Sequence, residues 1–349
     1  MKMNPLGRTG IEVSALCLGT MTFGTQTKME DSHRQMDMSL EAGISFWDTA
    51  EMYPVNPVSA DTQGASEEHV GAWFEKTGRR SEVVVATKHS GEGLRHVRDG
   101  ALISSKTISE AIEGSLARLK TDYIDLYQFH WPNRGSYMFR KNWTYDPSGQ
   151  NRDETIANIH DCLEALQKEV DRGTIRAFGL SNESAWGTAQ WLRASEDRGL
   201  PRVASIQNEY SLLCRMYDTD LAELSLNEEV GLLSYSPLAT GLLTGKYQNG
   251  AVPKGSRADQ NGNLGGRIHG DDRVFTATQA YLDIAAKHDL DPIHMALAWC
   301  MQRPFMASAI FGATNVDQLA RIIEGKDLVL SDDVLKEIDV AHRAFPMPY

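Results

Sequence analysis

Short runs of Val, Ile, Leu, Ala and aromatic residues alternate along the chain with longer stretches whose apolar residues recur at helical spacing. The short runs lack the clean in–out alternation of a half-exposed sheet, as expected of parallel strands buried on both faces. They predict strands over Ala15–Gly19, Ser45–Asp48, Val83–Lys88, Ile124–His130, Arg176–Ser181, Ala204–Gln207, Leu232–Ser236 and Ala309–Phe311, after an opening hairpin that turns near Thr9-Gly10. Between them, Met36 and Leu40 share a helix face ahead of a stop at Gly43. Ser66 reads as the cap of a helix whose stripe is Val70, Trp73 and Phe74 and which ends near Gly78. Thr107 and Glu110 read as a capping box ahead of Ile108, Ile112 and Leu119. Ile156, Ile159, Leu163, Leu166 and Val170 form another stripe, closed by Gly173. Eight strands alternating with helices in 349 residues favour a (β/α)8 TIM barrel with an N-terminal β-hairpin over an open sheet. No internal repeat or linker divides residues 1–349, so the expectation is a single barrel domain.

Two connections are too long to be simple links. Residues 132–154 follow the fourth strand and carry Tyr137, Phe139, Trp143 and Tyr145. Residues 240–274 follow the seventh, are rich in Gly, and carry Lys246, Lys254, Arg257, Arg267 and Arg273. Long loops in compact domains are usually functional or disordered, and in a barrel both would lie on the C-terminal face, where active sites are built.

Composition narrows the function classes. Hydrophobic content of 41% and charged content of 23% are those of a globular protein. A net charge of -12 argues against nucleic acid as the main partner. No apolar run reaches the roughly 18 residues of a membrane span, and the first residues lack the apolar core of a signal peptide, so the expected location is cytoplasmic. Cys17, Cys162, Cys214 and Cys300 are far apart without a C-x-x-C pair and read as buried thiols in a reducing compartment.

Asp48, Tyr53, Lys88 and His130 stand at or just past the ends of three successive predicted strands. Reducing a carbonyl requires an acid that protonates the forming alkoxide. A free phenol, with a pKa of about 10, donates poorly at neutral pH unless its phenolate is stabilised. A nearby ammonium stabilises it by charge, a carboxylate holds that ammonium in place, and an imidazole orients the carbonyl or relays the proton. Each residue alone has a plain explanation: a solvated Lys, a capping Asp, a turn Tyr, a core His. Charge repeated at three strand ends costs stability and is harder to dismiss. Asp48, Glu51 and His130 could instead hold a metal, but no H-x-H opens the first strand and no H-E-x-x-H occurs, so no metal is expected. Gly241-Leu242-Leu243-Thr244-Gly245-Lys246-Tyr247 is one residue short of a P-loop, with Tyr where Ser or Thr must bind magnesium, and no G-x-G-x-x-G follows a strand.

The segments Leu18-Gly19-Thr20-Met21-Thr22-Phe23-Gly24, Asp48-Thr49-Ala50-Glu51-Met52-Tyr53, Asp122-Tyr123-Ile124-Asp125-Leu126-Tyr127, Gly179-Leu180-Ser181-Asn182, Gln207-Asn208-Glu209-Tyr210-Ser211-Leu212-Leu213 and Tyr235-Ser236-Pro237-Leu238 resemble, in order and over nearly the whole chain, the aldo-keto reductase family. The match is strongest to the branch related to the potassium-channel β-subunits. The resemblance implies that NADPH/NADP+ lies extended across the C-terminal face of the barrel. Tyr53 would be the general acid, Lys88 and Asp48 the pair that tunes it, and His130 the residue that orients the carbonyl. Gly19, Thr20 and Met21 would border the cofactor with Asp48. Ser181, Asn182 and Gln207 would hold the nicotinamide carboxamide, with Tyr235 stacked on the ring. The pyrophosphate would run along Ser236, Pro237, Leu238, Gly241 and Leu242, and Lys246, Ser256 and Arg257 would take the 2′-phosphate. Gly312, Thr314 and Gln318 match the last cofactor segment, at a helix start that offers free N–H groups.

The sequence departs from the family at Phe311, where Pro is usual, and at Ile322, where a cofactor-contacting Asn is common. Arg321 is then the expected contact to adenine or the 2′-phosphate. The resulting expectation is an NADPH-dependent reductase of an aldehyde or ketone acting on a small-molecule carbonyl substrate. The alternative is an NADPH-sensing regulatory subunit with weak catalysis. A homo-oligomer is compatible with either.

Overall fold

Eight parallel strands close into a barrel: β3 (Leu16–Gly19), β4 (Phe46–Asp48), β5 (Val84–His89), β6 (Ile124–Phe129), β7 (Ile175–Ser181), β8 (Val203–Glu209), β9 (Gly231–Tyr235) and β10 (Met306–Phe311), with β10 pairing back onto β3. The description is that of a computed structural model covering residues 1–260 and 262–349. An antiparallel hairpin, β1 (Met3–Pro5) with β2 (Glu12–Ser14), precedes the barrel. Helices α1 (Met29–Glu41), α2 (Ala65–Thr77), α3 (Ser105–Leu119), α4 (Arg152–Arg172), α5 (Ala185–Arg198) and α6 (Asp220–Glu228) follow successive strands. After β9 come α7 (Arg257–Gln260), α8 (Arg273–Lys287) and α9 (Pro292–Met301); α10 (Val316–Glu324) and α11 (Asp332–Ala344) follow β10.

Two of the three apolar clusters follow from the barrel's geometry. Inside the barrel, Cys17, Phe46, Ala86, Leu126, Ala177, Ala204, Leu233 and Ala307 pack with Leu6, Ile11 and Val13 of the hairpin, which plugs the N-terminal end. The approach is close: a Cβ on Gly7, at φ +56°, would lie 2.6 Å from the Ala204 carbonyl oxygen. Between strands and helices, the outward faces of the strands meet the helical stripes, including the stripe Ile159, Leu163 and Leu166 of α4. Strands buried on both sides therefore read as unbroken apolar runs. All four cysteines are free and buried.

Boundaries moved where local chemistry was misread. β10 starts at Met306, three residues before the predicted start at Ala309, because Met306 and Ser308 pair with Leu232 and Leu233 of β9, with an irregularity at Ala307 between them. His130 lies one residue beyond β6. Ser66 is inside α2 rather than its cap; Gly64, at φ 84°, occupies the cap, and the Ser66 hydroxyl donates to the Phe23 carbonyl at 2.8 Å. At α3 the capping box is Ser104 with Thr107, so Thr107 is the responding residue and not the cap. Both long connections lie at the C-terminal ends of their strands, as expected, although Arg273 already opens α8.

Helices α2 and α3 meet at Gly71, where an added Cβ would lie 2.1 Å from the Arg118 carbonyl oxygen. Helix propensity alone favours Gly71→Ala by about 1 kcal/mol. The backbone clash should reverse that sign, for a net loss on the order of 2 kcal/mol, measurable as a lower urea midpoint at unchanged slope.

Candidate active site

Parallel pairing sets Asp48 and Lys88 in register. Asp48 pairs with Ala86 on β5, and Lys88 pairs with Gln128 on β6. Alternation then turns Ala86 and Lys88 to the same side, toward the barrel axis, with Lys88 one layer nearer the mouth. Its ammonium, 0% exposed, donates to Asp48 Oδ2 at 2.6 Å and to the Thr49 carbonyl at 2.8 Å. It also lies 4.8 Å from the centre of the Tyr53 ring. Tyr53 meets the His130 ring edge-on, centroids 5.7 Å apart. The structure thus brings all four together.

Their proton affinities follow from burial and charge. Burial alone would push Lys88 down, but Asp48 and Tyr53 together outweigh it and the ammonium is held above the ordinary lysine range. Burial pushes the Tyr53 phenol up, with Asp48 adding to it, against an opposing pull from Lys88. Burial, and then Lys88, hold His130 well below its ordinary value, so its imidazole is neutral. Its Nδ1 is buried with no partner among the described residues.

A ring of amides surrounds the tetrad. Gln207 Nε2 donates to Asp48 Oδ1 at 2.8 Å, and Gln128 Nε2 reaches the same oxygen at 3.3 Å. Ser181 Oγ donates to the Gln207 carbonyl at 2.8 Å. Asn182, at φ 55°, donates to the His130 carbonyl at 2.8 Å and accepts from the Tyr235 hydroxyl at 2.8 Å. Thr20 Oγ1 donates to the Asp48 carbonyl at 3.0 Å, and Met21 packs in the small apolar cluster around Tyr53. Gly19 ends β3 so close to β10 that a Cβ would lie 2.9 Å from the Phe311 carbonyl oxygen.

The remaining expected cofactor residues lie along the same rim. Ser236 follows β9 at φ 55°, and Pro237 and Leu238 lead into a short 3-10 turn, Ala239–Thr244, that holds Gly241 and Leu242. Lys246 is exposed, lies over Gly241 and makes no ion pair among the described residues. Ser256 accepts the Asp259 N–H at 3.3 Å, just before Arg257 opens α7. Arg257 is partly buried, likewise has no carboxylate partner among the described residues, and is pushed down by burial and by Arg267. Gly312 borders open space, while Thr314 donates to Gln318 Oε1 at 3.0 Å. Arg321 Nε donates to Asp291 at 2.7 Å, and Ile322 is buried.

Other residues at the mouth escaped the sequence reading. Glu209, 4% exposed, binds Arg267 from the loop after β9, Arg140 from the loop after β6, and the hydroxyl of Tyr349. Only its place in the Gln207–Glu209 motif signalled it. Glu51, weighed only as a metal ligand, is bound by Arg98, whose distant loop position gave no local pattern. Among the described residues no three His, Cys, Asp or Glu side chains cluster as a metal site. No helix among them is long and apolar enough to cross a membrane. A cavity of about 610 Å³ lies beneath the loop after β6, with Phe129, Leu180 and Trp191 among its apolar lining and Trp131 in its wall; none of the four tetrad residues lines it.

Residues 15–343 match the model of the Aldo/keto reductase family. The Tas protein of Escherichia coli (strain K12) is 42% identical over all of this chain and 99% of its own length. An uncharacterised oxidoreductase of Bacillus subtilis, YrpG, is 30% identical over 97% of this chain and 95% of its own. A probable voltage-gated potassium channel subunit beta of Arabidopsis thaliana is 29% identical over 99% of this chain and 98% of its own.

Asp48→Asn would leave the Lys88 ammonium buried without a counter-charge. The expected loss of unfolding free energy is about 3–5 kcal/mol near neutral pH. The deficit should narrow as pH rises toward about 10, since the variant can release that proton while wild-type Lys88, its pKa raised, keeps it until higher pH. Urea titrations of both proteins across that range check the magnitude and the sign.

Proposed function

The chain belongs to the aldo/keto reductase family, which makes it an oxidoreductase of small molecules, and from that premise we propose that it reduces an aldehyde or ketone to the alcohol with NADPH, in the cytoplasm. The observation that carries this reading is the fully buried Lys88–Asp48 pair against the Tyr53 ring, with a neutral His130 at its edge.

The residues present fit the cofactor. Lys246 and Arg257 are cations without carboxylate partners among the described residues, in a chain of net charge -12, and they suit a phosphate. Ser181, Asn182 and Gln207 supply amide and hydroxyl groups for a carboxamide, and Tyr235 an aromatic face. When bound, NADPH supplies the hydride that adds to the carbonyl carbon.

The protein's own groups do the rest. As the carbon–oxygen π pair moves onto oxygen, Tyr53 gives that oxygen its proton. Lys88 stabilises the phenolate left behind, and Asp48 keeps Lys88 in place and charged. His130, neutral, presents an imidazole N–H to the carbonyl oxygen without adding a competing charge. A second reading, a cofactor-sensing regulatory subunit, draws on the relatives named as potassium channel β-subunits. Tight NADPH binding with negligible turnover across aromatic aldehydes, α-dicarbonyls and quinones would favour it.

Tyr53→Phe should keep NADPH affinity nearly intact and cut turnover by about 10²–10⁴-fold, the range of a lost general acid. Stopped-flow NADPH oxidation tests this, and retained turnover would remove Tyr53 as the donor. Arg257→Ala should weaken NADPH much more than NADH in fluorescence titrations. Equal loss for both would exclude a 2′-phosphate role.

A further inference from the structure

Glu51 sits in the turn between Asp48 and Tyr53 and is 2% exposed. Its Oε1 accepts the Ser90 N–H and Arg98 Nη2, both at 2.5 Å, and its Oε2 accepts Arg98 Nη1 at 2.6 Å. Its backbone N–H donates to the Lys88 carbonyl at 3.3 Å. The turn carrying Tyr53 is therefore tied to Lys88 twice, through Glu51 and through the Thr49 carbonyl, and to the segment after β5 through its carboxylate. His89 stands beside the pair, pushed to about 4 by burial and so neutral, with its ring nitrogens on the Ser90 carbonyl and the Thr107 hydroxyl. Among the described residues Arg98 alone matches the Glu51 charge.

Arg98 and Asp99 hold left-handed backbone, φ 46° and 55°, unfavourable for residues with a Cβ and kept only where the surroundings impose it. A buried ion pair is a poor source of net stability compared with apolar packing, so its use here calls for a geometric reason. The segment it anchors supplies one. Leu94 and Val97 pack into the small cluster that contains Tyr53. The Glu92 carbonyl accepts the Trp131 indole N–H at 3.2 Å, and a Cβ on Gly91 would lie 2.2 Å from that nitrogen. Trp131 in turn lies 5.0 Å from the His130 ring and forms part of the wall of the large cavity.

We propose that Glu51 and Arg98 are positioning residues of the active site: their ion pair clamps residues 90–102 over Tyr53, keeping water off the phenol and holding Trp131 beside His130. The inference rests on Tyr53 as the proton donor. The charged and titratable groups facing that phenol are Asp48 from β4, Lys88 from β5, His130 after β6 and Arg257 from α7. Burial raises the phenol and Lys88 lowers it, so loosening the roof removes the raising influence and leaves the lowering one. The phenol should then ionise at lower pH, and reduction, which needs the protonated phenol, should fail at lower pH too.

The test uses Glu51→Gln, Arg98→Met and Arg98→Lys. The Tyr53 phenol is titrated by tyrosinate absorbance, as the difference between each protein and its Tyr53→Phe counterpart. Expected for Glu51→Gln and Arg98→Met are a phenol pKa lower by about one unit, an alkaline limb of kcat that moves with it, a kcat reduced about tenfold and NADPH affinity within about twofold of wild type. Arg98→Lys keeps the charge without the two-pronged geometry and should recover part of the shift. A lower melting temperature with an unmoved phenol titration would show a merely structural pair and overturn the proposal; Arg98→Lys carries the same reading if the other variants do not fold. The absorbance titration needs no turnover, so failure of the proposed reductase activity is seen separately, in wild type.

Discussion

Lys88 carries a positive charge where water does not reach, 2.6 Å from Asp48 Oδ2 and 2.8 Å from the Thr49 carbonyl. A buried charge costs several kcal/mol unless its partners are well placed, and this requirement propagates outward. Asp48 must be present and its second oxygen satisfied, so Gln207 on β8 and Gln128 on β6 turn their amides onto it. Gln207 in turn lends its carbonyl to Ser181 on β7. One charge in the barrel mouth thereby fixes side chains on five strands, and the Tyr53 ring settles against the ammonium that this network holds.

A second buried charge organises the loops by the same logic. Glu209 ends β8 and draws in Arg267, Arg140 and the Tyr349 hydroxyl, from two long connections and the segment after α11. The basic residues of the loop after β9 therefore divide by partner. Arg267 is committed to Glu209, whereas Lys246 and Arg257 have no carboxylate among the described residues. Counting basic residues in the sequence cannot make that division, because the deciding partner lies on another strand.

The tetrad was legible because Asp48, Lys88 and His130 recur at or just past the ends of three successive strands, where charge costs stability. Tyr53 was legible through its motif, which the family match extends over residues 15–343. Legibility failed where backbone conformation decides. A left-handed Gly64, and not Ser66, starts α2, and the Ser104–Thr107 box moves the start of α3. It failed again for long-range partners: nothing near Glu51 in sequence announces Arg98, and nothing near Arg321 announces that its Nε lies on Asp291. Met306 and Ser308 join β10 by pairing with Leu232 and Leu233 across a shift in register, which no hydrophobic pattern announces.

The balance at Tyr53 explains why the site needs both a dry roof and a buried ammonium. A dry phenol alone would hold its proton too tightly to give it up, since burial disfavours the phenolate. An ammonium beside an open, hydrated phenol would be screened, and much of its pull would be lost. In a dry site the attraction between Lys88 and the phenolate is strong but exists only once the proton has moved. It therefore stabilises the transferring state more than the resting one, which is the condition for lowering a barrier. Asp48 limits the effect, because its negative charge raises the phenol while it holds Lys88. The amides of Gln207 and Gln128 on Asp48 Oδ1 hold that carboxylate in place, so they belong to the same network as the residues that touch Tyr53.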